Sequence, residues 1–358
     1  MSAAPVVADP PAASGRKPKK PFVRRIGVDR SQMLRRLVQF SFLALNLWIG
    51  FQFYLFVRQF EGSGMTGYTR PPGVEGWLPI AGMMNTRYFV LTGQVPVVHP
   101  AAMVLFVAFL AASIFFRKAF CGWLCPVGTL SEYLWKLGRD TFKRNFYLPR
   151  WLDIGLRSLK YILFGLFFYA VFSMPPVALR EFLESPYGLV ADVKMLNFFR
   201  NMGMAAAITV AILMLASVFV QNFWCRYLCP YGALMGLVSM LSPMKIQRKA
   251  ESCIDCGKCA KVCPSRLPVD KLIQIQSAEC LGCMECVAVC PVEDTLHMAL
   301  VVPSKKPVPA WVMAAGVAVL FFGLVGAAKL TGHWHTPLSN ETYQELIPHV
   351  NDYSHPGR

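Results

Sequence analysis

The chain has 358 residues, 55% hydrophobic and 16% charged, with 26 phenylalanines and a mean hydropathy of +0.42. A typical soluble domain is about 25% charged, so the composition excludes an ordinary soluble enzyme and describes a membrane protein carrying a small polar module. The formal net charge of +16 does not indicate nucleic acid, because the basic residues sit beside apolar segments, where they set orientation.

Residues 1–36 are a basic lead, rich in Pro, Ala, Lys and Arg, which we read as disordered and cytoplasmic. The Arg24-Arg25 pair precedes a long apolar segment with no small-residue cleavage site, the pattern of a retained signal-anchor. A membrane domain follows over 37–244. Its first span, 37–57, has about 20 apolar residues, enough for ~30 Å of hydrocarbon. Asn46 and Gln52 interrupt it, as residues that bond to a neighbouring helix do.

A loop holding R-P-P-G-V-E-G-W-L-P-I at 70–80 leads to His99-Pro100, where a second span begins and runs to about Phe116. Arg117 and Lys118 stop it. An interfacial helix is predicted next, with Leu130, Leu134 and Leu137 on one face. Spans three and four cover about 156–174 and 204–223, and a shorter apolar segment occupies 231–241. A polar module fills 245–300, a fifth span 308–329, and a polar tail 330–358.

The lead carries nine basic residues, and the connection after span two carries Arg117, Lys118, Lys136, Arg139, Lys143, Arg144 and Arg150. The opposite loops hold Arg58, Arg70 and Arg87, then Arg180, Lys194 and Arg200. By the positive-inside rule the N-terminus and the polar module are cytoplasmic and the tail periplasmic, in a bacterial inner membrane.

The polar module reads C-I-D-C-G-K-C-A-K-V-C-P and then C-L-G-C-M-E-C-V-A-V-C-P. Two runs of Cys-x2-Cys-x2-Cys-x3-Cys-Pro are the spacing of a bacterial two-cluster ferredoxin, in which the fourth Cys of each run ligates the other cluster. One [4Fe-4S] cluster is therefore assigned to Cys253, Cys256, Cys259 and Cys290. The second takes Cys280, Cys283, Cys286 and Cys263. Structural zinc has no use for a third Cys at that interval, and disulfides do not suit a reducing compartment.

The other four cysteines form a repeat. Segments 120–130 and 224–234 align as aromatic-Cys-x-aromatic-Leu-Cys-Pro-x-Gly-x-Leu, each after an inward-running span. A duplicated two-helix unit in one orientation implies a pseudo-two-fold axis along the membrane normal. That axis brings Cys121, Cys125, Cys225 and Cys229 towards one place. They could ligate a third cluster, hold another metal, act as redox thiols, or pack as small apolar groups. The fold class expected is an α-helical membrane protein of five transmembrane helices, two duplicated two-helix units plus one, with a cytoplasmic ferredoxin-like α+β insert.

Through the double ferredoxin run, both Cys-x3-Cys-Pro motifs and R-P-P-G-V-E-G-W-L-P-I, together with V-D-K-L-I-Q at 269–274, the chain resembles the membrane polyferredoxins of the NapH, NosR and CcoG type. The resemblance implies electron transfer between a quinone pool and a partner redox protein. The NosR-like flavin domain precedes the spans, and the short lead here leads us to expect no covalent flavin. Arg70, Glu75 and His99 are candidates for a quinone site. CcoG-like proteins suggest the alternative of a copper reductase or assembly factor, which soft thiolates would suit. His333, His335, His349 and His355 in the tail could bind a metal, but nothing in the sequence fixes their geometry.

Overall fold

A computed structural model describes residues 25, 27, 29–143, 146–301 and 306–356. The expected disorder of the lead falls mostly on residues outside that set. Fourteen α-helices are described. They are α1 (Ser31–Gln59), α2 (Pro79–Thr92), α3 (Pro100–Phe115), α4 (Pro126–Phe142), α5 (Arg150–Ser173), α6 (Pro176–Glu184) and α7 (Pro186–Leu189). The rest are α8 (Ala191–Arg200), α9 (Met204–Phe219), α10 (Pro230–Ser239), α11 (Lys258–Val262), α12 (Glu285–Ala288), α13 (Ala310–Leu330) and α14 (Asn340–Leu346). Two strands, β1 (Met244–Arg248) and β2 (Leu296–Leu300), pair antiparallel with Ile246 opposite Met298.

Helix α1 starts inside the expected lead, where the Asp29 carboxylate accepts the Ser31 N–H at 2.7 Å, so Arg35 and Arg36 are helical. Three helices, α1, α5 and α13, are long and apolar enough to cross a membrane, and the α8–α9 pair adds a fourth only as a span bent by 82°. Helices α3 and α9 are 16 residues each, about 24 Å at 1.5 Å per residue, short of ~30 Å of hydrocarbon. Both stop for one reason: Arg117 and Lys118 after α3, and Asn222 after α9, take left-handed backbone. On α5, Ile162, Leu166 and Tyr169 are exposed, as are Ile208, Ile212 and Leu215 on α9, an apolar belt suited to lipid.

Helix α4 has two unlike faces, as expected of an interfacial helix. Leu130 and Leu137 point outward, whereas Thr129, Ser131, Glu132, Trp135 and Gly138 are buried. Against a bilayer the apolar face belongs outside, and the polar face finds partners within the bundle. The loop between α1 and α3 is more structured than expected. Pro72–Trp77 forms a 3-10 helix and α2 follows, with Pro79 at its first position and left-handed Gly93 at its end.

The tail folds back. Ser339 caps α14, and Tyr343, Leu346, Ile347 and Val350 pack on Phe53, Phe56 and Val57 at the end of α1. At the other end of the bundle the polar module is fused to the helices. Ile246, Leu267, Val269, Ile275 and Met298 share one apolar cluster with Phe109, Phe120 and Trp123.

Candidate metal centres

Both Cys runs share one backbone trace. Asp255 and Gly257 are left-handed in the first, Gly282 and Met284 at the equivalent positions in the second. These kinks turn successive cysteines inward, and the third Cys of each run lies on a short helix, Cys259 on α11 and Cys286 on α12. One enclosed cavity is lined by Cys253, Cys256, Cys259 and Cys290. A second is lined by Cys263, Cys280, Cys283 and Cys286, with Ile246, Leu267, Val269 and Ile275 around them. The fourth Cys of each run thus sits with the other run's three. Cys256 is exposed, while Cys263, Cys280 and Cys286 are buried, so the first cavity lies nearer water.

The repeated motif is not a continuous helix. Each copy makes a π-helical turn, Phe120–Leu124 and Trp224–Leu228, then an extended Cys that caps the next helix. Cys125 Sγ accepts from Gly128 N at 3.4 Å and Cys229 Sγ from Gly232 N at 3.2 Å. A sulfur at a helix N-terminus is favoured as thiolate. The copies exchange partners, with α4 packed on α9 and α10 on α3. This crossing places Cys121, Cys125, Cys225 and Cys229 on the wall of one cavity of about 450 Å³.

That cavity has two ends. Its polar end carries the four thiols, Lys118 and Glu279, and its apolar end Phe42, Ile49, Leu105, Phe109 and Phe321, extending to Trp77 and Trp334. Pro264, Ser265 and Leu281 line both it and the buried four-Cys cavity of the polar module. Burial pushes the Cys121 thiol up to about 11 and the Cys125 thiol to about 12. Thiolate ligands therefore form there against the positive charge of a bound metal. Among the described residues no three His, Cys, Asp or Glu side chains are close enough to hold a single metal ion. Each of the three sets instead puts four cysteines on one cavity wall, and a donor set of four soft sulfurs suits an iron–sulfur cluster.

The module is clamped to the helices around its second run. Trp123 Nε1 donates to Gly282 O at 3.1 Å, and Arg117 Nη2 to Ile275 O and Ser277 O at 3.0 and 2.8 Å. Gly122 meets the Leu281 carbonyl so closely that an added Cβ would lie 2.5 Å from that oxygen. Gly122→Ala is expected to cost about 1–3 kcal/mol of overpacking, read as a lower melting temperature of the purified protein. An unchanged melt would mean that this contact is loose.

Arg70, Glu75 and His99 are brought together, but as a brace. Arg70 pairs with Glu75 at 2.7 Å and with Asp192 at 2.6 Å, and His99 Nδ1 lies 3.4 Å from Glu75. Glu75 also accepts from Ala102 N at 2.9 Å, and His99 Nε2 lies 2.8 Å from Gly188 O. Burial alone would raise the Glu75 carboxyl, but Arg70 and His99 outweigh it and hold it below the usual range. The three residues bind one another, and the large cavity runs past them, touching Gly73, Gly76 and Trp77 instead. The tail histidines do not converge. His349 faces Asp352 at 3.3 Å, and His355 lies 5.2 Å from the rings of Phe182 and Tyr187.

Sequence reasoning missed Asp192, the buried cluster Arg35–Glu132–Glu285 and the partly buried pair Lys160–Glu279. The available signal was charge inside or beside otherwise apolar helices.

A 4Fe-4S binding domain model matches twice, at residues 98–145 and 202–249, over both Cys-x3-Cys-Pro units. A 4Fe-4S dicluster domain model matches 244–298. YccM of Escherichia coli (strain K12), a protein named for electron transport, is 52% identical over 326 residues, covering 90% of this chain and 91% of YccM. The chain belongs to the membrane polyferredoxin family.

The polyferredoxin is further similar to the ferredoxin-type protein NapH of Haemophilus influenzae, 26% identical over 64% of this chain and 73% of NapH. The regulatory protein NosR of Pseudomonas aeruginosa is 33% identical over 43% of this chain, but over only 21% of NosR. No solved structure matches. The polyferredoxin is a membrane iron–sulfur electron-transport protein.

Proposed function

We propose that this polyferredoxin carries electrons between a lipid-soluble quinol and a redox protein, through three cysteine-lined sites in series. The ligand sets are Cys253, Cys256, Cys259 and Cys290; Cys263, Cys280, Cys283 and Cys286; and Cys121, Cys125, Cys225 and Cys229. Iron–sulfur clusters bound there supply one-electron steps. One observation carries the reading: the four-thiol cavity shares the wall of Pro264, Ser265 and Leu281 with the buried Cys site, and opens on its other side into an apolar chamber. Such a chamber, walled by Phe and Leu with few polar groups, is the kind of site that takes a quinone ring.

The chain's own part is to hold and insulate. Helix N-termini face Cys125 and Cys229, apolar side chains keep water from the middle site, and exposed Cys256 marks the contact point for the partner. The charge distribution supports five crossings of a bacterial inner membrane, with α3 and α9 as short spans, the polar module cytoplasmic and α14 periplasmic. The protein then works as an electron-transfer component rather than a stand-alone enzyme.

Anaerobically purified protein is expected to show broad iron–sulfur absorbance that bleaches on adding a reduced quinol analogue. Bleaching by dithionite but by no quinol would remove the quinone from the account. One copper per chain, bound by wild type and lost in Cys121→Ser/Cys225→Ser, would move the protein to metal handling.

A further inference from the structure

Two buried lysines and a partly buried glutamate stand at the polar end of the four-thiol cavity. Lys118, in the break after α3, is 3% exposed, and its Nζ donates to the Ala278 carbonyl at 3.3 Å. Lys160 of α5 is fully buried and reaches both Glu279 oxygens at 2.7 Å, where the Tyr161 hydroxyl adds a bond of 2.9 Å. One carboxylate thus faces two ammonium groups, and a positive charge is left over.

The fold of the turn does not account for that charge. Asn222 occupies the place of Lys118 in the second copy, three residues before the first Cys, and holds the same left-handed backbone, φ 51° against 47°. Asn is favoured there and Lys is not, so the turn would form more readily without the ammonium. A buried ammonium beside four neutral thiols is costly, and beside an anion it is favourable. Lys118 lines the same cavity as Cys121, Cys125, Cys225 and Cys229.

We propose that Lys118 is the counter-ion of a net-negative, thiolate-held cluster in the cavity of Cys121, Cys125, Cys225 and Cys229, and raises its reduction potential. The inference rests on the reading that these four thiols hold a cluster. Adding one electron from a quinol-type donor makes that cluster more negative, and the fixed ammonium stabilises the reduced form. The quinol-side site of the relay is thereby kept reducible inside an apolar wall that would otherwise oppose added charge.

The test is an anaerobic redox titration followed by EPR on the full-length protein, for wild type, Lys118→Met and Lys118→Arg. Lys118→Met is expected to lower the midpoint of one centre by about 59 mV, a tenfold change in its one-electron equilibrium. The other two centres stay put, and Lys118→Arg restores the value. Loss of that centre in Lys118→Met with its return in Lys118→Arg supports the same charge requirement. Three centres with unchanged midpoints in Lys118→Met overturn the inference while leaving the three-site relay intact. A wild type with two centres, indistinguishable from Cys125→Ser, overturns the relay's quinol-side site and the inference with it.

Discussion

Arg35→Met is expected to destabilise the protein by about 3–5 kcal/mol, because it strips the central cation from a buried ion network. Arg35 is 1% exposed and pairs with Glu132 at 2.6 Å and with Glu285 at 2.9 Å. Glu285 lies between Cys283 and Cys286, and Gln32 of the same helix donates to Cys283 O at 2.9 Å. The network therefore ties α1, α4 and the second Cys run together. Without Arg35, Lys136 alone faces two buried carboxylates. Thermal unfolding of the purified variant checks this, and Arg35→Met/Glu132→Gln should recover part of the loss.

The same network fixes an acid limb. Burial raises the Glu132 carboxyl, but Arg35 and Lys136 outweigh it and hold it down at about 2, against 4.5 in its ordinary state. A depressed carboxyl stabilises the fold above its unfolded value, and the contribution fades as pH falls from about 4.5 towards 2. In Arg35→Met the carboxyl moves up, so acid unfolding should begin at higher pH than in wild type. Identical acid midpoints would mean that the ion pair is not formed in solution.

The second large effect belongs to the repeat. Cys125→Ser/Cys229→Ser is expected to remove about four iron atoms per chain and to bring quinol-driven reduction of the remaining clusters to background, while dithionite still reduces them. Ser keeps the helix caps, so folding should survive and the loss report on ligation. Unchanged iron with unchanged quinol reactivity would reduce these thiols to packing.

Much of the centre was legible because its information is local. The eight ferredoxin cysteines are set by spacings of two and three residues, and the fourth-Cys exchange follows from chain geometry. The meeting of the two Cys-x3-Cys-Pro motifs needed only a duplication and an axis. Whatever depended on distant partners stayed hidden. Arg35 finds Glu132 and Glu285 across 97 and 250 residues, and Lys160 finds Glu279 across 119. Helix α14 could have been found, since Ser339 is an N-cap and Tyr343, Leu346, Ile347 and Val350 follow at helical spacing.

Iron and sulfide analysis with spin-counting EPR on protein purified without oxygen addresses the cage assignment at its root. Three centres and about twelve iron atoms per chain are predicted, falling by about four when either Cys283 or Cys125 becomes Ser. A wild-type chain that holds no iron, or whose iron is indifferent to both substitutions, would contradict the account.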